Sequence, residues 1–240
     1  MTGPPASASL LRALVTLTLI SGLVDAVSYL GLGHVFTANM TGNVVILGFA
    51  AAGAPGFSVP ASLASLAAFL LGAVCAGRVA TVVTGRGRLL VFAMTVEAVF
   101  VAAAAAIAAS AGPIAAGWPR YSVIAVLAFA MGVRNATVRR IAVPDMTTTV
   151  LTMTLTGLAA DSSLAGGDNT GAARRCVSVA AMLAGAVAGA AMFLHARAGL
   201  PLLVAALVVA ATTVIFWRGG EGGLATAPAA GPGEPGRMSP

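Results

Sequence analysis

Apolar runs of close to twenty residues follow one another along almost the whole chain, and that constrains its fold more than any motif does. A helix needs roughly 20 apolar residues, rising about 1.5 Å each, to cross about 30 Å of hydrocarbon. Six segments meet that length, at about 10–32, 60–82, 89–110, 120–142, 175–196 and 199–217. They leave no room for a soluble domain. With 59% hydrophobic residues, 8% charged residues and a mean hydropathy of +0.98, the chain lies far outside the balance of a water-soluble fold. The expected class is an all-α polytopic membrane protein whose principal partner is the lipid bilayer, with one transmembrane domain over residues 1–218.

The net charge is +6 and the isoelectric point about 11, yet the thirteen basic residues are all Arg, lie scattered between apolar runs, and never cluster with aromatics. Nucleic acid is therefore not an expected partner, and the arginines read as topology signals. Cys75 and Cys176 show neither CxxC nor Cys/His spacing, so both are expected as small apolar packing residues. His34 and His195 stand near span ends without companion ligands, and no metal site or cofactor is expected. The chain has no HExxH, P-loop or GxSxG motif and no Ser/His/Asp cluster, which argues against an enzyme. The amino-terminal "LLRALVTLTLISGLVDA" is read as a retained first span, because Asp25 stands where a signal-peptide cleavage site would need small residues. The Gly/Pro-rich tail over 219–240 is expected to be disordered and cytoplasmic.

Two shorter apolar segments, about 38–53 and 144–160, are rich in Thr. They belong to an internal repeat. "SGLVDAVSYL" from Ser21 aligns with "MGVRNATVRR" from Met131 at an offset of 110 residues, Thr41 falls near Thr152 at 111, and "LLGAVCAG" from Leu70 aligns with "LAGAVAGA" from Leu183 at 113. Each half then reads as span, short Thr-rich segment, span, span. If both short segments crossed, giving eight spans and parallel repeats, six arginines would lie on each side. If both enter and leave on one face, ten lie with the amino terminus and only Arg120 and Arg197 lie opposite, with Arg134 set aside as intramembrane. That bias favours six spans, two re-entrant helices, inverted repeats and cytoplasmic termini in the plasma membrane.

The paired motifs "GLVDAVSYL…FTANMTGNVVILG" and "FAMGVRNATVRR…MTTTVLTMTLTGLAAD" resemble the bacterial YoaK-like membrane proteins, a family of unknown function. The resemblance covers nearly everything but the tail. It falls on Gly22, Asp25, Ala26, Phe36, Met40, Thr41, Gly42 and Asn43, and again on Gly132, Asn135, Ala136, Thr147, Thr148, Thr149 and Thr152. The chain departs from the family pattern at Arg134, where Gln is common, and at Met153, where a Gly follows the Thr. The resemblance implies an integral membrane protein and brings no reaction or substrate.

Asp25 in the first span, Glu97 in the third and Arg134 in the fourth are ionisable groups in apolar surroundings, where such residues usually face the bundle interior with a partner. Arg134 is the natural partner for either carboxylate, whether the pair only fixes helix register or also couples to a solute. Glu97 without a partner would be a candidate proton carrier. Asn39, Thr41, Gly42 and Asn43 supply groups suited to a broken helix, and Asn135, Thr148, Thr149 and Thr152 do so in the second half. Thr149, Thr152 and Thr156 share one helical face, a stripe that suits either a solute path or helix glue. Gly72 with Ala76, and Gly185 with Gly189, have the spacing of close helix packing.

The expected function is a small secondary transporter or exporter of an unidentified solute or ion, with a midplane site between two broken helices. The alternative is a non-transporting membrane protein with a structural, subunit-interface or lipid-binding role. A homo-oligomer is compatible with either.

Overall fold

The computed structural model describes residues 7–111, 117–141, 151–196 and 199–220. Among them are eight α-helices: α1 (Ala8–Gly31), α2 (Met40–Ala51), α3 (Val59–Val82), α4 (Arg86–Ser110), α5 (Trp118–Ile141), α6 (Leu151–Ala160), α7 (Ala172–His195) and α8 (Gly199–Arg218). Six are long and apolar enough to cross a membrane, and they coincide with the six segments read from the sequence. The other two, α2 and α6, have 12 and 10 residues. At about 1.5 Å per residue they reach only about 18 and 15 Å, roughly half a bilayer core.

Local chemistry sets the helix ends. Ser7 begins α1 by accepting from the Leu10 amide, and Ser58 begins α3 by accepting from the Ala61 amide, with Pro60 in the first turn, where its missing N–H costs nothing. Gly85 and Gly171, both at positive φ, open α4 and α7.

The helices α1 and α5 form the centre of the bundle, each with 61% of its core window buried, against 22–39% for the other four long helices. Leu70, Leu71 and Val74 of α3, Leu183 and Val187 of α7, and Leu207 and Ile215 of α8 face outward. In a bilayer such a surface meets acyl chains. Cys75 and Cys176 are also exposed, on α3 and α7, so the packing role expected for them is corrected: each takes the outward side of a helix whose inward side is given to smaller or glycine residues.

Glycine decides which helices touch. A methyl group on Gly22 of α1 would overlap the Met182 carbonyl and lie 2.8 Å from the Ala186 nitrogen, both on α7. Gly132 of α5 meets the Phe69 carbonyl and the Ala73 nitrogen of α3 in the same manner. The converse contacts come from Gly72, against Phe129, and Gly185, against Leu19. With the offsets of 110 and 113 residues, Gly22 maps onto Gly132, Phe69 onto Met182, Gly72 onto Gly185 and Leu19 onto Phe129. The α1–α7 contact and the α5–α3 contact are thus one contact made twice. The expected small-residue packing is found, and it joins helices from different halves. Other pairs follow the same exchange, with α4 on α8, α4 on α5 matched by α8 on α1, and α2 on α3 matched by α6 on α7.

Contacts between helices also give directions. Gly185 sits at Leu19 and Gly189 at Leu23, so α1 and α7 run the same way. Arg120, at the start of α5, donates from Nε to the Leu32 carbonyl just past the end of α1 at 2.7 Å. Arg134, further along α5, reaches the Leu17 carbonyl in the earlier part of α1. These two helices are antiparallel.

Gly22→Val and Gly132→Val are each expected to destabilise the detergent-solubilised protein by about 1–3 kcal/mol through forced helix separation. Gly77→Ala, where the added methyl meets open space, is expected to be neutral or stabilising by up to about 1 kcal/mol. Thermal unfolding of the three variants measures this, and equal melting temperatures would contradict the packing account.

Candidate functional site

The connection from α1 to α2 turns back on itself. Gly33 and His34 have φ of 85° and 57°, and the His34 amide donates to the Tyr29 carbonyl at 3.0 Å, which ends α1. The His34 Nδ1–H donates to the Gly56 carbonyl at 3.0 Å, tying the end of α1 to the α2–α3 loop. Between those points the chain dips inward. The amides of Thr37 and Ala38 donate to Asp25 Oδ1 at 3.1 and 2.8 Å, although Asp25 precedes the last residue of α1 by six positions. Asp25 therefore lies about 9 Å below the end of α1 along its axis. The carboxylate satisfies two amides of the non-helical connection that leads into α2.

Asn39 caps α2, its side chain accepting from the Gly42 amide at 3.3 Å. Asn43 holds the loop from the other side: its Oδ1 accepts from the Phe36 amide at 2.8 Å, and its Nδ2 donates to the Phe36 carbonyl at 2.6 Å and to Ser65 Oγ at 3.1 Å. Ser65 Oγ donates to the same carbonyl at 2.7 Å. Irregular backbone inside a membrane protein needs such side-chain partners, because no water is available there. Asn43 is thus a clamp on Phe36, buried and occupied.

A cavity of about 510 Å³ lies between α1, the first turns of α2, the start of α6 and α7. Ser21 and Asp25 line it from α1, Asn39, Thr41 and Gly42 from α2, Leu151 and Thr152 from α6, and Met182 from α7. Ser21 and Met182 stand near the middles of their 24-residue helices, so the deep end of the cavity lies at mid-height. Tyr29, Phe36, Phe49 and Phe57 wall the other end. Tyr29 and Phe36 stack at 4.9 Å between centroids, and Phe49 and Phe57 are 5.6 Å apart. The Thr41 and Thr152 regions, matched in the repeat, thus face one space, and the amino-terminal ends of both short helices border it.

Deeper in the bundle, Arg134 is fully buried and joins three helices. Its Nη1 donates to Glu97 Oε1 of α4 at 2.8 Å and to the Leu17 carbonyl of α1 at 3.2 Å, and its Nη2 donates to Ser21 Oγ at 2.7 Å. Of the two partners open to Arg134 in the sequence, the structure selects Glu97. Ser21 stands between this cluster and the cavity. Asp25 keeps its Oδ2 buried with no hydrogen-bond partner among the described residues.

Of the residues singled out from the sequence, Asp25, Asn39, Thr41, Gly42 and Thr152 border the cavity. Glu97 and Arg134 form the ion pair behind it, and Asn135 is half-buried on α5 beside Arg134. Thr148 and Thr149, with Thr147, lie outside the described residues, as does the start of the second Thr segment. Ser21, Tyr29, Phe49, Phe57 and Met182 were not legible as site residues. Tyr29 could have been found, since it stands four positions after Asp25 and shares its helix face. Among the described residues no group of three metal-ligating side chains occurs.

Glu97→Met leaves the Arg134 guanidinium buried without its counter-ion and is expected to cost about 3–5 kcal/mol. The double variant Glu97→Met/Arg134→Met removes both charges and is expected to recover most of that loss. Thermal unfolding in detergent measures the pair, and a double variant as unstable as the single one would show that the ion pair is not the source of the effect.

Comparison with known proteins matches residues 13–215 to the family described as protein of unknown function (DUF1275). The UPF0700 transmembrane protein YoaK of Bacillus subtilis (strain 168) is 33% identical over 149 residues, 61% of this chain and 64% of that protein. The matched stretch therefore spans just under two thirds of the relative's length. No solved structure matches. With the family match running from the first long helix into the last, the chain belongs to the DUF1275 family of transmembrane proteins, whose function is unknown.

Proposed function

We propose that the protein is a small secondary transporter or exporter of the plasma membrane, with six spans, inverted repeats and a midplane site between two re-entrant half-helices. The observation that carries this reading is the cavity bordered by the starts of both α2 and α6 at mid-height. Interrupted helices meeting near the midplane at a repeat interface are the recurring build of such transporters.

The inverted arrangement draws support from the antiparallel course of α1 and α5, the first helices of the two halves. The re-entrant course of α2 draws support from the contact between His34 and Gly56, which joins the residues before and after that helix. The arginine bias of ten against two then puts both termini and the α6–α7 loop in the cytoplasm. Thr41, Thr152 and Asn39 supply hydrogen-bonding groups to the solute, and Asp25 supplies the charge. The protein carries out no catalysis in this reading, and its partners are the bilayer and the solute.

Two experiments test it. Cysteines placed at Pro55 and Asp168, in a chain with Cys75 and Cys176 replaced by Ser, are expected to label from opposite faces of the membrane, Pro55→Cys from outside. Same-face labelling would establish the eight-span arrangement instead. Proteoliposomes holding pH and potential dyes are challenged with a panel of inorganic ions, amino acids and organic cations. At least one solute is expected to drive a signal, which Thr41→Ala or Thr152→Ala lowers about five- to tenfold, as a lost solute hydrogen bond would. No signal from any member with folded protein would overturn transport and favour the structural alternative.

A further inference from the structure

The three buried charged side chains among the described residues are Asp25, Glu97 and Arg134, so one guanidinium faces two carboxylates and the interior holds an excess of one negative charge. Arg134 is engaged by Glu97, Ser21 and the Leu17 carbonyl. The excess belongs to Asp25, and among the described residues that keep a buried side-chain oxygen without a partner, Asp25 alone lines the cavity. A carboxylate in such surroundings is stable only with a counter-ion or a proton.

The rest of the cavity wall indicates which counter-ion fits. Tyr29, Phe36, Phe49 and Phe57 give it four aromatic rings, two of them stacked within 5 Å of each other. Aromatic faces attract cations, and most strongly so where water is scarce. A small inorganic cation needs a shell of several oxygen ligands. Here one free carboxylate oxygen, a few amide and hydroxyl groups and a wide aromatic wall suit a delocalised charge on an apolar body. The volume, about 510 Å³, lies in the range of sites for drug-sized molecules.

We propose that the cavity binds a monovalent organic cation with an apolar or aromatic body, paired with Asp25 and held against the aromatic wall, in exchange for the proton that Asp25 otherwise carries. This substrate class rests on the transport reading above only for its translocation; the binding site itself does not need it. The exchange balances: the protonated carboxyl gives up one proton as one cation enters, and the net charge of the site does not change. The groups facing Asp25 are the Thr37 and Ala38 amides of the α1–α2 connection, Tyr29 on its own helix, Asn39 and Thr41 of α2, Thr152 of α6, Met182 of α7 and, through Ser21, Arg134 of α5 with its partner Glu97 of α4. Among them Asp25 is the only carboxylate without a cationic partner, so it is where proton and cation compete.

The test uses the full chain in detergent micelles or nanodiscs, titrated calorimetrically with tetraphenylphosphonium and with uncharged triphenylphosphine oxide. Tetraphenylphosphonium is expected to bind once per chain and the uncharged analogue not at all. Repeating the titration in buffers of different ionisation enthalpy is expected to show close to one proton released per cation at acidic pH, with affinity falling about tenfold for each unit by which the pH is lowered in that range. Asp25→Asn keeps the oxygen that accepts from Thr37 and Ala38, and is expected to fold while binding at least about thirtyfold more weakly and releasing no proton. Tyr29→Leu and Phe49→Ala are expected to weaken binding several-fold with proton release unchanged.

Absence of binding to the folded protein, equal binding of the uncharged analogue, or undiminished binding by Asp25→Asn would each overturn the proposal. Should Asp25→Asn fail to fold, unchanged affinity in both aromatic variants overturns it. Cation binding without flux in proteoliposomes would remove the transport reading and leave this site standing. Flux of another solute without cation binding would do the reverse.

Discussion

One guanidinium in the middle of the bundle organises what surrounds it. Arg134 holds α4 through Glu97 and α1 through Ser21 and the Leu17 carbonyl, so a single side chain sets the relative height of three helices. In an apolar interior the pair gains little over a well-packed hydrophobic alternative, whereas an unmatched charge there is severely destabilising. The cluster therefore acts chiefly on register. Whatever slides α5 against α1 must first break contacts that have no water to replace them.

That register places the first half's polar loop where it is needed. Asp25 stands one helical turn beyond Ser21 on α1, and the α1–α2 connection folds down onto it through two backbone amides. The clamp of Asn43 and Ser65 on Phe36 fixes the same loop against α3. Polar groups that look wasteful in an apolar sequence thus serve two ends: most satisfy backbone that leaves the helix, and a few remain to face the cavity.

The long helices and their number were legible in the sequence because length and apolarity are the whole requirement for crossing a bilayer. The repeat was legible as well, since Gly22, Gly132, Gly72 and Gly185 must be small for reasons that act identically in both halves. What the motif residues do individually was less so. Asn43 and Asn39 read alike as amides, yet one is buried against Phe36 and the other borders the cavity, and only the path of the loop distinguishes them. The aromatic wall was hidden for a similar reason. Phe49 and Phe57 in an apolar stretch are indistinguishable from lipid-facing residues until the turn at Gly53 and Gly56 brings them together.

The crossed glycine contacts bear on how such a protein could have arisen. Each half offers its own small-residue groove to the other half's second long helix, so neither half buries its grooves alone. A chain of half the length would be an unfinished object, its grooves unfilled until a second copy interlocked with it. Joining two such copies into one polypeptide would keep each groove beside the helix that fills it and leave the two halves free to differ, as they do where one carries Asp25 and the other Asn135.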